Sequence, residues 1–141
     1  MEFDNYFKLE FDAKNVNESC ARGVVAMFCT ELKPTLSEVN DIKTAVSEAV
    51  TNSIVHGYLN KGGKIVLEVG IKGNMLDITV SDTGIGIEDV DMALQPFFTT
   101  KSEEEHSGMG FTLMDTFMNN LEVKANTPSG LIVRMQKVIK G

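Results

Sequence analysis

Hydrophobic and polar positions change period several times along the chain, and each period predicts an element. Phe7, Leu9 and Phe11 alternate with Lys8 and Glu10, the period of a half-buried first strand. From Val16 to Leu32, the residues Cys20, Val24, Met27, Phe28 and Leu32 recur at helical spacing. Asn15 or Asn17 is expected to cap that helix, and Pro34 lies just past its end. Thr35 and Glu38 fit a capping box, in which side chains satisfy the orphan amides of a first turn. Ile42, Ala45, Val46, Ala49, Val50 and Ser53 then form one stripe of low polarity, with Gly57 as the stop. Ile65, Leu67 and Val69 alternate, as do Leu76, Ile78 and Val80, and Lys72-Gly73-Asn74 between them signals the turn of an antiparallel hairpin. A short helix is expected over 88–94. Residues 95–107 have no clear period, which suits a lid or binding loop. Phe111, Met114, Phe117 and Met118 give a third major helix. Two last strands, Leu121 to Ala125 and Leu131 to Ile139, flank Thr127-Pro128-Ser129-Gly130. The order predicts an α+β fold: a two-layer sandwich with helices on one face of a mixed, mostly antiparallel β-sheet.

At 141 residues the chain is expected to form a single domain spanning 1–141. A chain of this length buries about two-thirds of its unfolded surface. Hydrophobic residues at 43% and charged residues at 23% exclude disorder, collagen-like repeats and coiled coil as the main architecture. Twenty acidic residues against 13 basic ones give a net charge of -7. That balance lacks the basic footprint of nonspecific nucleic-acid binding. It suits a basic protein partner, and equally a surface that merely keeps a protein soluble. Cys20 and Cys29 form no CxxC pair, so reduced core thiols on one helix are expected rather than zinc ligands. No apolar run reaches 18 residues, and Met1-Glu2-Phe3-Asp4 lacks the basic start of a signal peptide. A cytoplasmic protein without membrane association is expected.

Three stretches could carry chemistry. Glu48 and Asn52 stand four apart on the second helix, and His56 continues the line. A carboxylate, an amide and an imidazole beside a buried stripe fit a polar cleft wall; the same spacing fits an ordinary solvated helix face. Asp82-Thr83-Gly84-Ile85-Gly86-Ile87 follows a strand. Its aspartate can accept from an exocyclic amine, and its glycines allow close backbone approach to a ligand. It also fits a turn closed by an Asx hydrogen bond. Ser107-Gly108-Met109-Gly110-Phe111 opens a helix, where free amides attract phosphate, or it serves as a hinge. The chain has no Walker-type phosphate loop and none of the H-R-D or D-F-G signatures of ordinary protein kinases.

Together these stretches resemble the ATP-binding domain shared by gyrase, Hsp90, histidine kinases and MutL, with its Bergerat-type fold. Glu48-Ala49-Val50-Thr51-Asn52 is similar to its N box, Asp82-Thr83-Gly84-Ile85-Gly86 to its first glycine box, and Gly108-Met109-Gly110 to its second. Ser47 to Tyr58, Gln95 to Lys101 and Ser107 to Phe111 more narrowly resemble the bacterial anti-sigma factor serine kinases, and among these the sporulation anti-sigma F factors. The resemblance covers nearly the whole chain.

The resemblance implies Mg-ATP held between the helical layer and a lid at 95–107. Asn52 would coordinate Mg²⁺, and His56 would share the nucleotide site. Asp82 would hold the adenine amino group, with Gly84 and Gly86 passing close to the nucleotide. Thr99, Thr100 and Lys101 would belong to the lid, and Ser107, Gly108, Met109, Gly110 and Phe111 would complete the phosphate cradle. Glu48 would be the general base. The implied activity is twofold: binding and inhibiting a sigma factor, here sporulation sigma F, and phosphorylating an anti-anti-sigma protein on serine. Alternatives are a nucleotide-gated sigma-binding module without transfer, or a stress-response anti-sigma kinase. Members form homodimers. Glu18 and Arg22, at i and i+4 on the first helix, are expected either to help dock a partner or to form a plain solvated pair. Two departures from relatives stand out: His106 where Arg is frequent, and Leu131-Ile132 where a Thr often follows the late glycine.

Overall fold

A computed structural model of the chain describes residues 2–87 and 110–141. Strand β1 (Asn5–Asp12) is followed by helix α1 (Asn15–Phe28), helix α2 (Leu36–Asn52), strands β2 (Lys64–Lys72) and β3 (Met75–Asp82), helix α3 (Gly110–Phe117), and strands β4 (Asn120–Ala125) and β5 (Leu131–Val138). The expected short helix at 88–94 and lid at 95–107 lie outside the described residues.

The five strands form one sheet in the order β1-β2-β3-β5-β4. Among the described residues every pairing is antiparallel, so of the expected mixed, mostly antiparallel sheet only antiparallel pairs are seen there. The hairpin forms as its pattern dictates. Lys72 pairs with Met75 across Gly73-Asn74, and Gly73 takes the left-handed φ of 59° that glycine adopts without a Cβ penalty.

Strand alternation sends Ile65, Leu67 and Val69, Leu76, Ile78 and Val80, and Leu131, Val133 and Met135 to the helix-facing side, where all are buried. Against them lies the stripe read from the sequence of α2: Ile42, Ala45, Val46, Ala49 and Val50 are each 0% exposed. The capping box at the start of α2 is complete. Thr35 Oγ1 accepts from the Glu38 amide, and the Glu38 carboxylate accepts from the Thr35 amide. Phe111, Met114 and Met118 bury the inner face of α3.

Helix α1 departs from its expected face. The buried residues are Ala21, Val25 and, in the 3₁₀ turn that follows, Cys29, with Phe28 half-buried. Met27 is 73% exposed and Cys20 is exposed, so the two thiols are not both in the core. Two apolar stripes lie side by side on this helix, one residue out of phase, and the one containing small Ala21 permits the closer packing on α2. The expected asparagine cap is also absent. Lys14 occupies the N-cap position without a side-chain bond, and Asn17 Nδ2 instead donates to the Asp12 carbonyl at 2.9 Å.

Candidate functional site

The site is built where the C-terminal end of α2 meets the end of β3. Alternation along β3 gives Asp82 the same inward direction as Leu76, Ile78 and Val80, so its carboxylate is pointed into the core and is 2% exposed. Such a group must be hydrogen-bonded. Oδ2 accepts from Ser53 Oγ at 2.7 Å, and Oδ1 accepts from the backbone amides of Gly84 at 3.0 Å and Leu131 at 3.3 Å.

Past Asn52 the helix widens into a π turn, Ser53–Gly57, a departure that recurs at functional sites. Asn52 and His56 stay on one side of it. Each is 8% exposed, and both line one cavity with Gly57, Asp82, Gly86, Ile87 and Leu131. Thus Asn52, His56, Asp82 and Gly86, drawn from separate motifs, are gathered around the same space. The α2 line therefore forms a buried cleft wall rather than a solvated face.

The glycines answer to backbone contacts within the protein. A Cβ on Gly84 would stand 2.1 Å from the Gly57 carbonyl oxygen, which also accepts from the Ile85 amide at 2.9 Å. Gly86 holds a φ of 75°, and a Cβ there would meet the Gly130 carbonyl at 3.0 Å. Gly130, with φ at 104°, lies so close to β3 that a Cβ would overlap the Asp82 carbonyl at 2.0 Å. These contacts lock the Asp82 loop between the end of α2 and the β4–β5 turn.

Glu48 is one turn up α2 from Asn52 and half-buried. A Cβ on Gly110, the first residue of α3, would lie 3.3 Å from Glu48 Oε2. The N-box carboxylate and the described end of the second glycine box are therefore neighbours. Phe111 is buried and packs in the core. Thr99, Thr100, Lys101, Ser107, Gly108 and Met109, and the departure at His106, lie outside the described residues. Glu18 and Arg22 are on α1, away from this cavity; their charged atoms are 3.3 Å apart with the arginine side chain 41% exposed. Such a pair contributes under about 1 kcal/mol.

Residues 10–137 match the family described as the histidine kinase-like ATPase domain. The anti-sigma F factor of Thermoanaerobacter sp. (strain X514) is 55% identical over 139 residues, spanning 99% of this chain and 97% of that protein. The anti-sigma F factor of Clostridium kluyveri (strain ATCC 8527) is also 55% identical, over 96% of each. The chain belongs to the histidine kinase-like ATPase family, alongside the anti-sigma F factors. Solved structures agree on the fold. The RsbU and RsbW domains of a Mycobacterium tuberculosis protein superpose with a TM-score of 0.68 at 16% identity, covering 96% of this chain and 32% of that one. The catalytic domain of the histidine kinase ThkA gives 0.58 at 20% identity, covering 99% and 97%. Among the described residues no helix is long and apolar enough to cross a membrane.

Several residues that brace the Asp82 cavity have no role assigned from the sequence. Ser53 reads as one more member of an apolar stripe, although a hydroxyl at such a position is itself a signal of a buried polar partner. Tyr58 was not singled out; its hydroxyl accepts from the Thr83 amide at 2.8 Å and donates to the Lys64 carbonyl, tying down the residue next to Asp82. Asn126 Nδ2 donates to the Asp82 carbonyl at 2.8 Å. The main-chain amide of Leu131 reaches Asp82 while its side chain is 2% exposed in the core.

Proposed function

We propose that the chain is an anti-sigma factor that binds and inhibits sporulation sigma F and phosphorylates an anti-anti-sigma protein on serine with Mg-ATP. The observation that carries this reading is the placement at the end of α2: Glu48 one turn before Asn52, with Glu48 against Gly110, and Ser53, next after Asn52, bonded to Asp82. That arrangement offers one end suited to an amino-bearing base and another suited to a reacting phosphoryl group. The 55% identity to anti-sigma F factors supports the choice of partners.

The chemistry asked of the protein is positioning. Asp82 is an oriented acceptor for the exocyclic amine of adenine. Asn52 would hold Mg²⁺ through its amide oxygen, and the ion would supply charge that offsets the phosphates. His56 lines the wall between these ends. Thr99, Thr100 and Lys101 would close over the nucleotide, and Ser107, Gly108, Met109, Gly110 and Phe111 would present amides to the phosphates. Glu48 accepts the proton of the partner's serine hydroxyl as the phosphoryl group arrives, a step in which positioning contributes most of the rate. Arg22, paired with Glu18, would help dock a partner on α1. The working unit would be a homodimer in the cytoplasm.

The test is transfer of label from γ-labelled Mg-ATP to an anti-anti-sigma protein of the same genome. Serine labelling with the natural chain and none with Glu48→Gln, at equal ATP affinity, is the expected result. Equal labelling with the variant removes Glu48 as the base. No labelling despite ATP binding would replace the kinase with a nucleotide-gated sigma-binding module.

A further inference from the structure

Asp82 has an unequal set of partners. Both donors on Oδ1, the amides of Gly84 and Leu131, belong to the main chain. Oδ2 has a side-chain donor, Ser53 Oγ at 2.7 Å, and both residues are 2% exposed. A carboxylate offers about four acceptor sites. Among the described residues, the two amides fill Oδ1, Ser53 takes one site on Oδ2, and one site remains. A serine hydroxyl has a single proton, and here it is committed to Asp82. Toward anything else Ser53 Oγ can only accept. Asp82, which lines the cavity, therefore presents an acceptor there, with the Ser53 proton already committed behind it.

We propose that Ser53 is a positioning residue that makes nucleobase selection strict: by committing its proton to Oδ2 of Asp82, it admits a purine with a 6-amino group and rejects one with a 6-oxo group. The inference rests on the ATP reading above and deepens it. A 6-oxo purine would bring an oxygen against the Asp82 carboxylate, two acceptors with no proton between them. Sites that leave buried polar groups unpaired discriminate strongly. Removal of the hydroxyl does more than weaken binding. A water that replaces it can donate or accept, so it can turn a proton toward a carbonyl. Discrimination is then lost along with affinity.

The experiment titrates the full chain, and its Ser53→Ala and Ser53→Cys variants, with Mg-ATP and with Mg-ITP, which carries a carbonyl in place of the amine. Ser53→Cys keeps the volume of the side chain and replaces the hydroxyl by a weak donor, so it reports even if the alanine variant folds poorly. Both variants are expected to narrow the ATP-to-ITP affinity ratio by about tenfold, the equivalent of one hydrogen bond of ordinary net strength. An unchanged ratio in a folded variant overturns the role of Ser53 while leaving ATP binding intact. A natural chain that binds neither nucleotide overturns the ATP reading itself, and the proposal with it.

Discussion

Gly84 and Gly57 touch through their backbones: a side chain on Gly84 would begin 2.1 Å from the carbonyl oxygen of Gly57. The resemblance to nucleotide-binding boxes explains this glycine by a ligand. The fold explains it without one, because the loop after β3 must lie directly on the end of α2 for Asp82 to reach Ser53.

Gly84→Ala should therefore harm the protein before any nucleotide is added. Overpacking of this kind costs about 1–3 kcal/mol. Gly23→Ala is the contrast: nothing lies within 4 Å of a Cβ there, in the interior of α1. Alanine at that position should stabilise by about 0.5–1 kcal/mol through helix propensity. Thermal melts of the two variants without ligand check both signs, and an unshifted melt for Gly84→Ala would contradict the contact.

Gly110→Ala should separate binding from transfer. Its Cβ would stand 3.3 Å from Glu48 Oε2, so the carboxylate must give way by a few tenths of an ångström. Small displacements of a reacting group can cost large rate factors, up to about 100-fold for 1 Å. ATP affinity is expected to hold while the rate of serine labelling drops severalfold. Equal rates would mean that Glu48 does not act from this position.

On the sheet face away from the helices, Arg134 donates from Nη2 to Asp77 Oδ2 at 2.7 Å, and Gln136 Nε2 donates to the same oxygen at 2.8 Å. The Asp77 side chain is 4% exposed and that of Arg134 is 37% exposed. Hydrogen bonding to Asp77 holds the Arg134 guanidinium above its already high ordinary pKa. The two single deletions should differ. Arg134→Met strands a buried carboxylate and is expected to cost about 3 kcal/mol, near the lower end for breaking such a pair. Asp77→Asn leaves an arginine that can turn to water and should cost less. Chemical denaturation of both variants decides the order.

Glu38 links the start of α2 to the chain's last residues. Its carboxylate accepts from the amides of Lys140 at 2.7 Å, Thr35 at 2.9 Å and Gly141 at 3.1 Å. The Lys140 bond, then the Thr35 bond, holds its pKa below the ordinary glutamate value. A depressed folded pKa gives stability that is complete above the unfolded value and lost as pH falls through the folded one. Glu38→Gln should lower the melting temperature at neutral pH and match the natural chain only once pH has fallen through the depressed folded pKa, beneath the ordinary glutamate value of about 4.3. A constant difference across that range would contradict the role of its charge.

Most of the fold was legible because its signals are local. The alternation of Leu76, Ile78 and Val80, the stripe on α2 and the pairing of Thr35 with Glu38 depend only on helix and strand periods and on residues three or four apart. Helix α1 was misread for a related reason. Its two apolar stripes have equal spacing, and the choice between Met27 and Ala21 belongs to the surface of α2. The candidate site was legible as a list of residue types, Glu48 and Asn52 in one motif and Asp82 in another. Its wiring was not, since Ser53 looks apolar by position and Tyr58 only closes the Ser47 to Tyr58 match, with no role implied for it.

The sequence by itself determined the strands, the capped helix α2, the hairpin at Gly73 and the order of elements, because period and turn chemistry act over a few residues. Tertiary structure alone decided that Asp82 bonds Ser53, that Gly84 rests on Gly57, that Glu48 faces Gly110 and that Asp77 is sealed by Arg134. The reason is physical: these partners are far apart in the chain, and a buried carboxylate or a close backbone contact acquires its meaning only from the group that folding brings against it.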